Sequence, residues 1–332
     1  MKKVDVLSVG DIVTDAFIKL IDEDEHTYVN EEGKWLAIPF GTKVPFDHAE
    51  IIEGVGNAAN AAVSFARLGL SSGLATNVGD DTFGRDMIHA LHANHVDTRL
   101  VRINADKVSH YHYVLWYKEE RTILVNSVDY EYYWPHLHPA EVPDWMYFSS
   151  VGKYATEYHD QISDWLEKHE TVKLAFQPGT FQIELGAKRL HKLYEQTDIL
   201  LLNREEAVQV GGGDHKHIPD LFKHLHALGP KTVVITDGPA GAYASDGTRA
   251  FKMPPYPDPK PPYERTGAGD AFSSTFVAAL IKGNTIDGAL QWAPINSMSV
   301  VQKVGAQAGL LSEEELSQWL KKAPSWYKAE PI

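Results

Sequence analysis

The sequence predicts an α/β fold, in which a doubly wound, mainly parallel sheet is flanked by helices and carries a small β-lid. Short apolar runs of strand length recur along the chain, at residues 4–9, 74–78, 146–149 and 173–176. Helical patterns lie between and after them, for example near 158–169 and 187–196. Strands that alternate with helices favour βαβ units and a parallel sheet. The chain has 332 residues, 43% of them hydrophobic, so one large α/β core is sufficient.

Composition excludes several classes of partner. Lys and Arg total 31 against 45 Asp and Glu, for a formal charge of −14, and the basic residues form no run. Nucleic acid is therefore not an expected partner. There is no cysteine, which excludes disulfides and thiolate metal sites. The N-terminus opens directly with a strand-like run and no apolar stretch approaches 18 residues, so we expect a cytoplasmic protein with no membrane partner.

Gly10 ends the first predicted strand, and the loop after it carries two carboxylates, Asp11 and Asp15. Loops at the C-terminal ends of parallel strands are the places where open α/β sheets bind ligands. Asp is also a common turn residue, and this alternative holds for Asp11 more than for Asp15.

Two segments, 18–52 and 108–127, favour strand over helix. We interpret them as one small β-lid, so that residues 1–17, 53–107 and 128–332 form the nucleotide- and substrate-binding core. A lid with an exposed sheet edge also favours a homodimer that forms through the lid.

A helix with a polar start follows the first lid segment. Gly56, Asn57 and Asn60 stand at its beginning, followed by Ala61 and Ala62 on its buried side. Small residues allow a ligand to approach the backbone closely, and two amides offer donors and acceptors suited to a polyol. A capped core helix is the alternative interpretation.

The segment Glu264-Arg265-Thr266-Gly267-Ala268-Gly269-Asp270 is followed at once by an apolar run that extends to Ile281. A helix that opens on glycine and alanine leaves the N–H groups of Gly267, Ala268 and Gly269 available for an anion, aided by the helix dipole. Asp270 would repel a resting phosphate, but it could take the proton of a hydroxyl that attacks phosphorus. The alternative is a capped helix with Asp in its first turn.

"ERTGAGDAF" resembles the "DTTGAGDAF" signature of the ribokinase-like carbohydrate kinases, the PfkB family. Members phosphorylate a hydroxymethyl group of a sugar or nucleoside with ATP and Mg²⁺, and many carry a lid over the sugar site. The resemblance implies that Asp270 is the catalytic base and that Asp15 accepts hydrogen bonds from substrate hydroxyls. Gly56, Asn57 and Asn60 match the G-G-x-x-x-N motif of the acceptor site, except that Val55 replaces its first glycine.

Further site residues follow from the same resemblance. Asn203 and Glu206 match the N-x-x-E motif, which organises Mg²⁺ and its waters. Thr236, Gly238 and Gly241 match the nucleotide loop T-x-G-x-x-G, and Gly269 also contacts nucleotide. Pro294 stands where relatives carry Asn or His near adenine. Some members bind a monovalent cation such as K⁺, but Glu264 and Arg265 depart from the Asp and Thr usual there.

The predicted function is ATP-dependent phosphorylation of a hydroxymethyl group on a small sugar, of ribose, fructose or ketose type. A nucleoside kinase is the first alternative, since Tyr111, Tyr113, Trp116 and Tyr117 could line a flat slot if alternate residues faced inward. The second is a regulator that binds sugar or nucleotide without turnover, against which an intact Asp270 argues.

Overall fold

The protein is represented by a computed structural model, which describes residues 3–22, 26–30, 32, 34–118, 120–212 and 217–332. Predicted lid residues 23–25, 31, 33 and 119 lie outside the described residues. The strands in the described part are β1 (Val6–Val9), β2 (Val13–Leu20), β3 (Tyr28–Val29), β4 (Leu36–Ala37), β5 (Phe46–Val55), β6 (Ser72–Gly79), β7 (Asp97–Asn104), β8 (Tyr111–Tyr117), β9 (Glu120–Leu124), β10 (Trp145–Phe148), β11 (Lys173–Phe176), β12 (Thr197–Asn203), β13 (Thr232–Thr236), β14 (Ala242–Ser245), β15 (Ala250–Met253) and β16 (Glu330–Pro331). The helices are α1 (Asn57–Arg67), α2 (Thr82–Ala93), α3 (Thr156–Glu167), α4 (Thr180–Leu185), α5 (His191–Gln196), α6 (Arg204–Gly211), α7 (Ile218–His226), α8 (Ala268–Ile281), α9 (Ile286–Val300) and α10 (Glu313–Lys321).

A large central sheet organises the core. Its strand order is β16-β15-β14-β13-β12-β11-β10-β1-β6-β7, ten strands within the described residues. Every pair from β13 to β7 is parallel, whereas β14, β15 and β16 add an antiparallel edge. Strands β1, β6 and β10 are buried at every position, as expected for parallel strands covered on both faces.

Helices cover both faces of this sheet because successive residues of each strand point to opposite sides. On β1, Val6 joins a core cluster built with helices α8 and α9, whereas Leu7 joins another built with α3 and α7. Helix α8 is buried over most of its length, which explains its run of small apolar residues. The predicted doubly wound, mainly parallel α/β fold is confirmed.

The second sheet has the order β5-β2-β8-β9 and is built mainly from the two segments predicted to form a lid, so we call it the lid. Strand β2 pairs with β5 antiparallel and with β8 parallel, and β8 pairs with β9 antiparallel. It begins at Val13, not at residue 18, so Asp15 lies inside a lid strand and not in the loop predicted from the sequence. The strand includes Thr14 and Asp15 because its neighbours β5 and β8 supply backbone partners there.

The register of the lid defines its two faces. Asp15, His112 and Ile52 are paired across strands and share the inner face, as do Trp116 and Arg121. The inner face meets the core, because the Trp116 and Tyr263 rings make an edge contact with centroids 5.2 Å apart. Residues Ala16, Ile51, Tyr113 and Leu124 are paired on the outer face.

The helix predicted near 187–196 is shorter than expected and is preceded by a separate helix, α4. Gly186 has a φ of 82° and ends α4, and its carbonyl then accepts from Arg189 N and Leu190 N in a turn. Helix α5 therefore begins only at His191. Within the described part of the chain, no helix has the length and apolarity needed to cross a membrane.

Candidate active site

Polar side chains converge at the C-terminal ends of the parallel strands, beneath the lid. Asp11 follows β1, Gln177 follows β11, and Asn203 ends β12. Helix α8 brings Asp270 to the same edge within its first turn. This edge is where open α/β sheets bind their ligands.

The start of helix α8 has the geometry of an anion site. Its N-cap, Gly267, has a left-handed backbone with φ 79° and ψ 0°, and no side chain caps the helix. A Cβ at Gly267 would lie 2.3 Å from the Ala306 Cβ, so only glycine fits. Ala268 N donates at 3.4 Å to Arg265 O, a long bond that a better acceptor could replace. The uncapped first turn carries the positive end of the helix dipole.

Asp270 is held in place by side-chain amides. Asn57 Nδ2 donates to Oδ1 at 2.8 Å, Asn60 Nδ2 donates to Oδ2 at 2.8 Å, and Gln177 Nε2 donates to Oδ1 at 3.2 Å. The residue is only 7% exposed. Burial raises the pKa of Asp270, while the three amide bonds and the charge of Arg121 lower it. The two asparagines predicted to bind the acceptor thus hold the predicted base.

Two glutamines complete this arrangement, and neither was predicted from the sequence. The Tyr147 hydroxyl donates to Gln177 Oε1, which fixes the orientation of the Gln177 amide so that its nitrogen faces Asp270. Gln307 Nε2 donates to Asn60 Oδ1 at 3.1 Å and to Gly54 O at 2.8 Å, and so orients Asn60 in the same way. The sequence offers no signal for either, because a single glutamine after a strand or in a loop is not a motif.

The predicted nucleotide loop lines a cavity of about 410 Å³. Thr236, Gly238, Gly241, Ala268 and Gly269 are among the lining residues, together with Phe272, Pro294, Met298 and Val301. The last four give the cavity an apolar wall suited to a flat base, and Pro294 lies there as the sequence suggested. Gly241 has φ 100°, and a Cβ there would lie 2.1 Å from Met253 O, so glycine is required for this turn.

Asn203 and Glu206 form a reciprocal cap at the start of α6. Asn203 Oδ1 accepts from Glu206 N at 2.8 Å, and Glu206 Oε2 accepts from Asn203 N at 2.8 Å. Asn203 is in register with Thr236 on the neighbouring strand, yet it is not among the described residues that line the cavity. Burial raises the pKa of Glu206, and the negative charge of Asp270 raises it further.

The negative charge of Asp270 raises the pKa of Glu206, and a carboxylate near another negative charge is suited to bind a divalent cation. Among the described residues, no group of three or more His, Cys, Asp or Glu is arranged to hold a metal. Mg²⁺ keeps several of its waters and needs only one or two protein carboxylates. Glu206 retains Oε1 for such a role, since its cap uses Oε2.

Arg121 enters the site from lid strand β9, and the sequence analysis assigned it no role. Its Nη1 lies 3.7 Å from Glu264 Oε1, beside the anion loop. Its Nε is buried and, among the residues that the structure describes, has no hydrogen-bond partner. Glu264 is 2% exposed and accepts from Thr266 N at 2.7 Å. An arginine with an unused donor next to a phosphate-sized cradle is equipped to bind an oxyanion.

Asp15 faces the site from the inner face of the lid. It is 8% exposed, and its Oδ1 accepts no hydrogen bond from any described residue. His112 Nδ1 lies 3.5 Å from that oxygen. Gly56, the N-cap of α1, has φ 112°, and a Cβ there would lie 2.9 Å from Asp11 O. The loop after β1 therefore packs directly against the start of α1.

The aromatic lid residues are divided between the two faces. Tyr111, Tyr113 and Tyr117 lie on the outer face, opposite to Trp116. Trp116 is 2% exposed and is already packed by Tyr263 and by Lys19, whose Nζ lies 4.8 Å from the ring centroid. The flat slot considered for a nucleoside is therefore not formed by these tyrosines in this structure.

Residues 53–313 match the sequence profile described as "pfkB family carbohydrate kinase". The chain is 26% identical over 288 residues to a 5-dehydro-2-deoxygluconokinase of Bacillus subtilis (80% of this chain, 86% of that one). It is 27% identical over 271 residues to the ribokinase of B. subtilis (80% and 87%). It is 27% identical over 330 residues to an aminoimidazole riboside kinase of Salmonella typhimurium (93% and 94%).

Solved structures share the fold. The ribokinase of Arabidopsis thaliana complexed with ribose and ATP superposes with a TM-score of 0.77 at 18% identity. The match covers 96% of this chain and 99% of that one. A putative ribokinase II of E. coli in complex with ATP and Mg²⁺ gives a TM-score of 0.74 at 19% identity, covering 97% and 100%.

Proposed function

The chain belongs to the pfkB family of carbohydrate kinases and is an ATP-dependent phosphotransferase, and we propose that it phosphorylates the hydroxymethyl group of a small sugar. One observation carries the proposal. Gly269 lines the 410 Å³ cavity, and the next residue, Asp270, is held by the amides of Asn57, Asn60 and Gln177 on the other side. The base therefore lies at the boundary between a nucleotide cavity and a polar acceptor site.

The proposed reaction is in-line transfer of the γ-phosphoryl group of ATP. The acceptor hydroxyl oxygen forms the new P–O bond, the bond from phosphorus to the oxygen of ADP breaks, and the hydroxyl proton passes to the carboxylate of Asp270. The three amides keep that carboxylate oriented, and their donors favour its ionised form against burial. Oδ2 accepts from one of these amides and Oδ1 from two, so Oδ2 has the greater capacity left to accept the hydroxyl proton.

Charge that develops on the transferred group would be stabilised from two sides. The uncapped N-terminus of α8, with Gly267, Ala268 and Gly269, supplies backbone donors and the helix dipole. Arg121 supplies a guanidinium from the lid, positioned by Glu264 at 3.7 Å. Preorganised donors of this kind act without reorganisation when charge moves.

ATP and Mg²⁺ are the proposed cofactors, supported by related structures that contain them. Mg²⁺, when bound, would neutralise charge on the phosphates of ATP. Glu206 would hold its water shell through Oε1, while Asn203 orients the Glu206 carboxylate through the reciprocal cap. A monovalent cation such as K⁺ is a candidate further cofactor, although Glu264 and Arg265 depart from the residues usual at that site. Comparing KCl with tetramethylammonium chloride in the assay decides whether it is needed.

The acceptor class is tested by ADP release across matched panels of free sugars and nucleosides. We expect ribose, fructose or a related ketose to give a far higher kcat/KM than adenosine or cytidine, because the outer-face tyrosines do not supply a base slot. A nucleoside with the higher kcat/KM would replace the acceptor class and leave the kinase assignment intact. ATP binding without ADP release for any acceptor would instead favour the non-catalytic regulator.

A homodimer through the lid is also proposed. Ile51, Tyr113 and Leu124 lie in one row on the outer face and are 56%, 48% and 51% exposed. An apolar row next to unpaired strand edges is typical of a surface that a second copy covers. Sedimentation of the native chain and of Tyr113→Glu tests this, since the charge would dissociate such a dimer.

A further inference from the structure

Two pairs of acid and imidazole side chains form a cluster at the end of the acceptor site away from the anion loop. We call Asp11, Asp15, His110 and His112 the acid–imidazole wall. His112 Nδ1 lies 3.5 Å from Asp15 Oδ1, and His110 Nε2 lies 3.8 Å from Asp11 Oδ2. Neither distance corresponds to a formed hydrogen bond in this structure.

The acid–imidazole wall faces the acceptor site because its four residues lie on the elements that enclose that site. Asp15 and His112 are paired on the inner face of the lid with Ile52. Ile52 Cδ1 contacts the position of Gly305, close to Gln307, which orients Asn60. Asp11 lies against Gly56 at the start of α1, and Asn57 follows directly. The wall thus borders the amides that hold the base.

The wall contains one buried acceptor and one buried donor that have no hydrogen-bond partner among the described residues. Asp15 Oδ1 is an acceptor with no donor, and Asp15 is 8% exposed. His110 is 4% exposed, and Val128 N donates to its Nδ1 at 3.1 Å. Because Nδ1 accepts, the ring proton of the neutral imidazole lies on Nε2. Among the described residues, nothing accepts from that Nε2.

Only a ligand that both donates and accepts can satisfy these two atoms. A hydroxyl does both, a carboxylate or phosphate only accepts, and an ammonium only donates. Asp11 adds a second carboxylate, which accepts from Tyr132 Oη at 2.9 Å and from Gly152 N at 2.7 Å. Burial raises the pKa of Asp11, while His110, His112 and these two hydrogen bonds lower it. The nearby cation Arg121 lies at the opposite end, paired with Glu264.

We propose that the acid–imidazole wall restricts this kinase to uncharged polyhydroxy acceptors, and that it excludes acceptors with a carboxylate or phosphate at the end remote from the phosphorylated hydroxymethyl group. This rests on the proposed function for the identity of the acceptor site. An anionic acceptor would place like charges together, which is costly in a partly buried site.

The experiment uses sets of acceptors that share a polyol chain and differ in one terminal group and its charge: D-fructose with D-fructose 6-phosphate, and D-glucitol with D-gluconate and D-glucamine. Binding to the native chain is measured by calorimetry with a non-hydrolysable ATP analogue and Mg²⁺, and turnover by ADP release. We expect the neutral member of a set to bind at least about 100-fold more tightly than its anionic partner. An anionic member that binds as tightly as the neutral one, or no neutral member that binds, overturns the proposal.

Isosteric variants then assign the selectivity to the wall. Asp11→Asn and, separately, Asp15→Asn should reduce the preference for neutral over anionic acceptors by about tenfold or more, even where total activity falls. Asp164→Asn, the same change on the exposed face of α3, is the matched control and should leave the preference unchanged. If circular dichroism shows that both wall variants are folded and the preference for neutral acceptors stays the same in both, the assignment is contradicted. Selective binding without ADP release would contradict the proposed function and leave the selectivity standing.

Discussion

Asn60 Nδ2 lies 2.8 Å from Asp270 Oδ2, although the two residues are 210 positions apart in the chain. The start of α1 therefore fixes the orientation of a carboxylate in the first turn of α8. Gln307 fixes the Asn60 amide in turn through its Oδ1. Side chains from several separate elements therefore orient the base together.

Replacing the base should remove most turnover. We expect Asp270→Asn to keep the fold and ATP binding but to lose about 10²- to 10⁴-fold in kcat, the usual contribution of a general base. Single-turnover ADP release measures the loss, and calorimetry with ATP checks binding. Retention of more than about a tenth of the native kcat would remove Asp270 from the mechanism.

Removing the Gln177 donor should shift the pH profile. The amide bond of Gln177 lowers the pKa of Asp270 against the effect of burial, so Gln177→Ala raises that pKa. Because the base must be ionised, the acid limb of kcat/KM should move to higher pH, with a fall in kcat of about 10- to 100-fold from lost orientation. Gln318→Ala, an exposed glutamine on α10, is the control. An unmoved acid limb would mean that Gln177 has only a packing role.

Glu206→Gln should chiefly raise the magnesium concentration required for activity. Changes at residues that support a metal's shell typically cost about 10- to 100-fold in metal affinity, and the acceptor site does not involve this residue. Glu205→Gln, one position earlier and exposed, provides a matched control that keeps the cap. Magnesium titrations of initial rate separate the two. If the KM for the acceptor rises while the magnesium dependence is unchanged, the assignment of Glu206 is wrong.

Arg121→Ala should lower kcat by about 10²-fold, as for the loss of one preorganised donor at a developing charge, with a smaller effect on the KM for the acceptor. Arg121→Lys should recover only part of this, because an ammonium lacks the planar fork. Arg102→Ala, in which an arginine that pairs with Glu131 on the surface is removed, should have little effect. Equal losses in Arg121→Ala and Arg102→Ala would point to general destabilisation and not to the reaction.

Acceptor binding should protect the lid from hydrogen exchange. Strands β2, β5, β8 and β9 enclose the site on one side, and closure over an acceptor excludes water from phosphoryl transfer. We expect slower exchange in these strands with acceptor bound and no change in α7, which packs on the far face of the central sheet. Exchange rates in the lid that are the same with and without acceptor would contradict a closing lid.

Local patterns account for the part of the site that could be predicted. The anion loop and the starts of α1 and α6 are each encoded by a few consecutive residues, such as Asn203 and Glu206, which cap one another. Arg121, Gln177 and His110 were missed because their roles depend on contacts between distant segments, and no spacing in the sequence reveals those. Asp15 was placed in a loop for the same reason, since the backbone partners that make it part of a strand belong to β5 and β8.

Gly56 is the single residue between lid strand β5 and helix α1. Asn57, the first residue of that helix, donates to Asp270. The strand that covers the acceptor and the amide that orients the base are therefore joined by a single residue. Gly56 has a φ of 112°, a backbone conformation that any other residue would adopt only with strain. Substitutions in β5 that widen the choice of acceptor will therefore also change the orientation of the Asp270 carboxylate. Laboratory evolution toward new acceptors should then recover turnover through compensating substitutions in α1.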